Sequence, residues 1–153
     1  MIVSVLAKSI AICTQLLLGL NPEYPMIHSE PKFLDLDQEM KDRLDRFRDE
    51  HKDDEPGGVG TRIIFEDDRI RAWELVLEPG EASALHMHEY DYYLAIFEGD
   101  FVAGVTPEDS PVESFVGIVP EIGNFVSIPK GGIEWAYNVG KKTYREVIVE
   151  LKT

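Results

Sequence analysis

The sequence predicts an all-β domain over residues 61–153, preceded by an extension over residues 1–60 that is partly helical and partly extended. From residue 61 onward, short runs of β-branched, aromatic and alternating apolar residues are separated by glycine, proline and other turn-forming residues. Many short strands at such spacing are typical of a β-sandwich or a β-barrel. The chain has 153 residues, which is enough for one domain with its own hydrophobic core.

Nine strands are predicted in this domain, and turn-forming residues separate them. The strands span residues 61–65, 69–78, 84–88, 92–98, 100–106, 113–118, 124–129, 133–139 and 143–151. The turns contain Pro79-Gly80, Gly99-Asp100, Pro107, Pro120, Gly123, Pro129, Gly131-Gly132 and Gly140. Glycine accepts the positive φ of tight turns, and proline at a strand end removes no ladder hydrogen bond. These residues are therefore expected to connect strands and to have no chemical role.

The first twenty residues are strongly apolar but lack the features of a secretory signal. Lys8 interrupts the run, no basic cluster precedes it, and no clear cleavage site follows it. The charge-free residues 9–20 are too few to cross a bilayer as a helix, so no membrane span is expected. We expect this segment to be retained in the mature protein and to pack against the β domain or a neighbouring subunit.

The rest of the extension is predicted to contain a connector and one helix. Residues 21–33 include three prolines and favour an extended connector. Apolar residues then recur at helical spacing on an otherwise charged segment, with Asp35 as the expected N-cap. This apolar stripe consists of Leu36, Met40, Leu44 and Phe47. Because the charges on the other faces are mixed in sign, the pattern favours a solvated surface helix and not a binding element.

Composition excludes some classes of partner. The formal net charge is −14 at pH 7, which argues against nucleic acids and against anionic membrane surfaces, since both attract clustered Lys and Arg. Cys13 is the only cysteine in the sequence, so no intrachain disulfide can form. A single cysteine favours a reducing compartment. The predicted location is therefore cytoplasmic.

His86 and His88 are the strongest chemical signal in the chain. They lie two residues apart in a predicted strand, and side chains at this spacing project from the same face of a sheet. A rigid strand can in this way offer two imidazoles to one metal ion. Pairs of surface histidines are also common, so the residues around them decide the interpretation.

Glycines and one tyrosine complete a first spaced pattern around the two histidines. Gly80 is followed by five residues and then by His86 and His88. Three residues separate His88 from Tyr92, and six more separate Tyr92 from Gly99. The pattern resembles the first motif of the cupins, which are small jelly-roll β-barrels. Tyr92 stands where that motif has a glutamate.

A second spaced pattern follows and resembles the second cupin motif. Gly123 is followed by five residues, Pro129, one residue and Gly131. Two residues separate Gly131 from Glu134, and three more separate Glu134 from Asn138. Glu134 stands where the motif has a histidine. Eight of the ten fixed positions match in the two motifs, so the resemblance implies a cupin-type jelly-roll β-barrel over residues 61–153.

The resemblance also implies a metal site. Cupins usually hold a divalent metal through two histidines and a glutamate of the first motif and a histidine of the second. This chain keeps His86 and His88, and Glu134 supplies a carboxylate that compensates for the one missing at Tyr92. Two histidines and one carboxylate suit Fe(II), and Zn or Mn can also be held by such ligands. Tyr92 is the expected catalytic residue, as an acid, a hydrogen-bond donor or a fourth ligand.

Alternatives remain for each of these residues. The histidines could line a barrel that binds an organic ligand without metal. A β-bulge could bring the carboxylate of Glu89 or Asp91 inward, and Glu134 could point to the rim. In that last case it would pair with a surface cation, for which the candidates are Lys130, Lys141 and Arg145. No role is assigned to His28 or His51.

Three functions follow from this interpretation. The first is a metal-dependent enzyme, dioxygenase-like or related, that acts on a small organic metabolite. The second is a metal-independent module that binds or senses a small molecule. The third is a structural role in which the extension forms an interface. The family resemblance also implies a homodimer, because cupins often form dimers.

Overall fold

The computed structural model of the protein describes residues 28–152, which form one helix and ten strands. The helix α1 spans Gln38–His51. The strands are β1 (Lys32–Phe33), β2 (Arg62–Glu66), β3 (Ile70–Leu77), β4 (His86–Met87), β5 (Tyr92–Glu98), β6 (Phe101–Val105), β7 (Phe115–Ile118), β8 (Asn124–Ile128), β9 (Ile133–Asn138) and β10 (Tyr144–Leu151).

The strands form two five-stranded antiparallel sheets. In spatial order the first sheet is β1-β7-β6-β9-β4 and the second is β2-β3-β10-β5-β8. From β3 to β10 the chain changes sheet at every step except between β6 and β7. This alternation places the two sheets face to face around one interior, which is the architecture of a jelly roll.

All nine predicted strands are present, with ends that lie within two residues of the predicted ones. The sequence did not predict β1, a strand of two residues inside the expected connector. Its two residues pair with β7, where Lys32 lies opposite Ile118 and Phe33 lies opposite Gly117. So short a strand has no periodicity of its own and exists because β7 offers an unpaired edge.

Alternation along β9 separates the two hydrophobic clusters of the described residues. Trp135 and Tyr137 face α1, where they pack with Leu44 and Phe47 of the helix. Ala136 packs on the opposite side of the sheet against the cluster that includes Leu75 and Ile148 of the second sheet. The first sheet is therefore covered by the helix on its outer face and by the second sheet on its inner face.

Helix α1 presents the predicted apolar stripe to the first sheet. Leu44 and Phe47 are buried, and the ring of Phe47 stacks on that of Tyr137 with centroids 4.3 Å apart. The N-cap is Asp37 and not the predicted Asp35. The Oδ1 atom of Asp37 accepts a hydrogen bond from the backbone N–H of Met40 at 2.9 Å. Because the helix begins at Gln38, Asp35 lies too early to reach an unpaired N–H group of the first turn.

Residues 28–60 contact the sheets at several places. Strand β1 extends the first sheet, α1 covers its outer face, and Val59 enters the core beside Leu75. The expected burial of the first twenty residues, and Cys13 with it, lies outside the described part of the chain. Within residues 28–152, no helix combines the length and the apolar character that crossing a bilayer requires.

Candidate metal centre and cavity

A cavity of about 690 Å³ lies between the inner faces of the two sheets. Most of its lining is apolar, with contributions from strands of both sheets. Its ionisable lining residues are His28, Glu30, Lys32, His86, His88, Tyr92, Glu134, Tyr144 and Glu146. Volumes of this size are typical of pockets for small molecules.

Both predicted histidines line this cavity. His86 is 2% exposed and His88 is 4% exposed, whereas Met87 between them is 54% exposed on the outer face. The strand β4 ends at Met87, but the ladder continues through the backbone of His88. Its N–H donates to the carbonyl of Gly132 at 2.9 Å, and its carbonyl accepts from the N–H of Gly131 at 2.8 Å. Backbone pairing therefore fixes both imidazoles on the inner face.

Glu134 lies directly opposite His86 in the antiparallel pairing of β4 with β9. Its Oε1 atom is 3.9 Å from the Nε2 atom of His88. Among the described residues, no Lys or Arg lies within 4.0 Å of its carboxylate. The alternative in which Glu134 pairs with a surface cation is therefore not found among these residues. Arg145, one of the candidate partners, instead contacts Glu74 at 2.7 Å.

Gly104 of β6 makes room for the Glu134 side chain. A Cβ atom built on Gly104 would lie 2.5 Å from the Oε2 atom of Glu134 and 2.5 Å from the ring of Phe115. Contacts of that length do not occur between unbonded carbon and oxygen atoms. Any larger residue at position 104 would therefore have to displace both the carboxylate of Glu134 and the ring of Phe115.

A hydrogen bond selects the tautomer of His86. Its Nδ1 atom lies 2.9 Å from the carbonyl oxygen of Ala84, which can only accept, so Nδ1 carries the proton and Nε2 carries the lone pair. Burial lowers the pKa of His86, and the neighbouring His88 lowers it further, against the opposite effects of the Ala84 bond and Glu134. The ring is thus held neutral in the form that binds metals, with its other nitrogen anchored to the backbone.

His88 is fixed by ring contacts and has one nitrogen without a partner. Its ring stacks on Tyr92 with centroids 3.9 Å apart and an interplanar angle of 10°. It meets His86 edge-on, with centroids 4.9 Å apart. Nδ1 of His88 is buried and has no hydrogen-bond partner among the described residues. A buried polar atom without a partner is costly, so this atom is consistent with a site that is completed by a bound group.

A divalent metal ion fits this donor set. One donor atom each from His86, His88 and Glu134 can be chosen so that all three lie within 4.8 Å of one another. Donor atoms bonded to one ion at roughly 2.0–2.2 Å lie at most about 4.4 Å apart. Small side-chain rotations therefore suffice to bring all three donor atoms to bonding distance from one ion. The other carboxylates considered for this role, Glu89 and Asp91, are exposed, and Asp91 accepts a hydrogen bond from the backbone of Lys130.

Tyr92 faces the three donors from the second sheet. It is 5% exposed, and burial raises the pKa of its phenol, with further increases from the charges of Glu134 and Glu146. The phenol is therefore held protonated, so it can donate a hydrogen bond into the cavity. Its ring covers one face of His88.

Comparison with solved structures assigns the fold. A cupin domain protein from Bordetella pertussis superposes with a TM-score of 0.54 at 22% identity, over 64% of this chain and 96% of that one. The chain has the cupin fold. A cupin superfamily protein from Desulfitobacterium hafniense is also similar, with a TM-score of 0.45, 15% identity and coverage of 63% of this chain and 84% of that one. No protein-family model and no curated protein matches the sequence.

A buried carboxyl group that the sequence analysis missed also lines the cavity of this cupin fold. Glu146 of β10 is 4% exposed, and its Oε2 atom accepts a hydrogen bond from the hydroxyl of Tyr144 at 2.5 Å. Burial raises the pKa of Glu146 to about 7, and the charge of Glu134 also raises it, against the effect of the Tyr144 bond. The signal was present in the sequence. Tyr144, Glu146, Ile148 and Glu150 alternate along one predicted strand, so two acidic residues share the face of apolar ones.

The edge of the cupin cavity is formed partly by residues 28–33, which include His28. This histidine received no role from the sequence, yet it lines the cavity, and its Nδ1 atom lies 2.7 Å from the carbonyl oxygen of Phe125. Asn124 holds the neighbouring Ser29 through three hydrogen bonds, two from Ser29 to its Oδ1 atom and one from its Nδ2 to the Ser29 carbonyl. His51 lies away from the cavity, stacked on Phe47 with centroids 4.2 Å apart.

Proposed function

We propose that this protein binds a divalent metal ion through His86, His88 and Glu134 and acts on a small organic metabolite in the cavity. The observation that carries the proposal is the convergence of these three donors in a buried site, with His86 held in the metal-binding tautomer. Two histidines and one carboxylate are the ligand set of non-haem Fe(II) oxygenases, and Mn or Zn can occupy similar sites. The reaction class we propose is dioxygenase-like.

The chain's own residues have distinct tasks in such a reaction. A bound divalent ion supplies Lewis-acid polarisation of an oxygen-bearing substrate. The apolar lining limits water around the substrate and strengthens each polar contact made there. Tyr92 donates a hydrogen bond, or a proton, from the wall opposite the donors. The Ala84 carbonyl holds the imidazole of His86 in one orientation.

Metal content and metal affinity test the proposal directly. Protein purified without an affinity tag should contain a stoichiometric divalent metal by elemental analysis. Calorimetric titration with Fe(II), Mn(II) and Zn(II) should show that Glu134→Gln weakens binding by about 10- to 100-fold, while Glu134→His keeps most of it. Glu89→Gln is the matched control, because it removes an exposed charge beside His88 without touching the cavity. Equal affinity for the parent and Glu134→Gln would exclude Glu134 as a ligand.

A second candidate function is a metal-independent module that binds or senses a small molecule. The mostly apolar lining of the cavity favours it, because such a surface holds an organic ligand without any metal. Absence of metal from the purified protein, together with no heat of binding for all three ions, would select this function over the first.

A homodimer is also part of the proposal, and the edge strand β2 supports it. Ile63, Ile64 and Phe65 in this strand are 46–52% exposed, and within residues 28–152 the strand β2 pairs on one side only, with β3. Exposed apolar residues on a free edge favour pairing with another strand. Analytical ultracentrifugation should give twice the monomer mass, and Phe65→Lys should shift the protein to the monomer.

A further inference from the structure

Two carboxyl groups lie in the interior of the cavity, and only one of them belongs to the candidate metal centre, while the third carboxyl group of the lining, Glu30, is exposed at the cavity edge. Glu134 projects from the first sheet beside the two histidines, whereas Glu146 projects from β10 of the second sheet. Glu146 is not in the group of donors that lie within 4.8 Å of one another. One metal ion bound by that group therefore leaves the charge of Glu146 to be balanced by something else.

The contrast between Glu146 and Glu150 shows what is unusual about Glu146. Both are on the inner face of β10, at 4% and 3% exposure. Glu150 accepts a hydrogen bond from Nε1 of Trp73 at 2.7 Å and lies 3.9 Å from the guanidinium of Arg71, so the protein itself balances its charge. Glu146 has one hydrogen-bond partner among the described residues, the uncharged hydroxyl of Tyr144. Glu146 also lines the cavity, and Glu150 does not.

Within the described residues, no Lys or Arg contacts the carboxylate of Glu146. Among the described residues that line the cavity, Lys32 is the only Lys or Arg, and Lys32 is exposed at the cavity edge. Burying a carboxylate without a cation is expensive, which agrees with the raised pKa of Glu146. A positively charged group that enters the cavity would remove this cost and gain a charge-assisted hydrogen bond.

We propose that Glu146, oriented by its hydrogen bond from Tyr144, binds the ammonium group of a small organic amine in the cavity. Tyr144 occupies one carboxylate oxygen and leaves the other available to the ammonium. The neighbouring wall is apolar, with Ile96 and Ile148 among its residues, so it suits the hydrocarbon part of such a ligand. The ligand class is therefore a primary amine with a short apolar chain.

This inference deepens the proposed function at one point, because it assumes that the charge of Glu134 is balanced by the metal. With metal bound, the substrate would present an oxygen donor to the first sheet and its ammonium group to the second. The ammonium site itself can be tested without metal, so the two proposals can fail separately.

The test uses the full chain in the presence of a chelator, with n-butylammonium chloride as the probe and 1-butanol as its uncharged counterpart. Binding is followed by NMR titration. The ammonium ion should bind more tightly than the alcohol, and Glu146→Gln should weaken its binding by at least about tenfold. Glu150→Gln is the matched control, since it removes an equally buried carboxylate that does not line the cavity, and it should bind the probe as the parent does.

Two results of the titrations would overturn the inference. One is equal affinity for the alcohol and the ammonium ion. The other is loss of ammonium binding in Glu134→Gln but not in Glu146→Gln, which would place the site at the metal donors. Should Glu146→Gln fail to fold, the parent protein still decides the question. Saturating n-butylammonium should lower the pKa of the Glu146 carboxyl, observed by ¹³C NMR, and an unchanged pKa would contradict the proposal.

Discussion

His86 and Glu134 are cross-strand partners in the antiparallel pairing of β4 with β9. Directly opposite residues in such a ladder have Cβ atoms about 4.5–5.5 Å apart, so the backbone itself sets the separation of these two side chains. His88 joins them from the same face through the spacing of two residues. The donor set is therefore determined by strand register, and it does not depend on a flexible loop.

Position 104 should control metal affinity without providing a donor. In Gly104→Ala the new methyl group would collide with the Glu134 carboxylate, so metal affinity should fall by about 10- to 100-fold in calorimetric titration. Gly117→Ala is the control, because a Cβ there meets its nearest atom at 3.6 Å, an ordinary contact. Unchanged affinity in Gly104→Ala, with a native circular dichroism spectrum, would count against Glu134 as a ligand.

Replacing Tyr92 by phenylalanine should separate the contribution of its ring to metal affinity from the contribution of its hydroxyl. The ring contact with His88 is face to face, and phenylalanine reproduces it. Metal affinity of Tyr92→Phe should therefore stay within about threefold of the parent, whereas Tyr92→Ala should lose the support of the His88 ring and bind metal more weakly. Metal titration of both variants is the measurement. A large loss in the phenylalanine variant would instead show that the phenol oxygen is a ligand.

Stability of the metal-free protein should depend on pH through Glu146. The pKa of this carboxyl is raised to about 7 in the folded state, from an ordinary value of 4.5, by burial and by Glu134. Between these values the unfolded chain releases the proton that the folded protein retains. The contribution of this group to stability is therefore complete below about pH 4.5 and is lost as the pH rises through about 7.

Glu146→Gln removes this titration, so the stability of the parent relative to this variant should fall by roughly 2–4 kcal/mol between about pH 4 and pH 8. The lowered pKa of His86 acts with the opposite sign, but it is common to both proteins and cancels in the difference. Urea denaturation of both proteins across this pH range is the measurement. A difference that stays constant with pH would show that Glu146 titrates normally.

The helix should contribute to the stability of the whole fold. Leu44 is 1% exposed and packs in the cluster that contains Trp135, so Leu44→Ala should lower the free energy of unfolding by about 2–5 kcal/mol. The exposed Lys41→Ala on the same helix is the control and should change it by less than about 0.5 kcal/mol. Both values come from urea denaturation. Equal stability of the two variants would mean that the helix unfolds separately from the sheets.

Local sequence patterns predicted most of the strands because turn-forming residues lie at nearly every strand end. What these patterns could not predict depends on tertiary pairing. Strand β1 forms because of the edge of β7, and the helix cap lies at Asp37 because α1 begins at Gln38. The same distinction holds in the site. Spacing alone placed His86 and His88 on one face, whereas the position of Glu134 came from the likeness of its motif to those of the cupins.

Glu146 shows a different limit of what can be predicted from the sequence. Its place on the inner face follows from alternation along β10, but alternation cannot tell a carboxylate paired within the protein from one that faces a cavity. Glu150 is on the same face and is balanced by Arg71 and Trp73, which come from β3, a distant part of the chain. The sequence contains both glutamates at equivalent positions, and only the packing of neighbouring strands distinguishes them.

The three candidate donors all belong to one sheet, on β9, β4 and the residue that follows β4. The opposite wall of the cavity, formed by strands that include β5 and β10, contributes none of them. Substitutions in that wall can therefore change the shape and charge of the space for a ligand while the donors keep their register. In evolutionary terms, a lineage with this architecture can acquire new ligand preferences by divergence of one sheet while selection maintains the other.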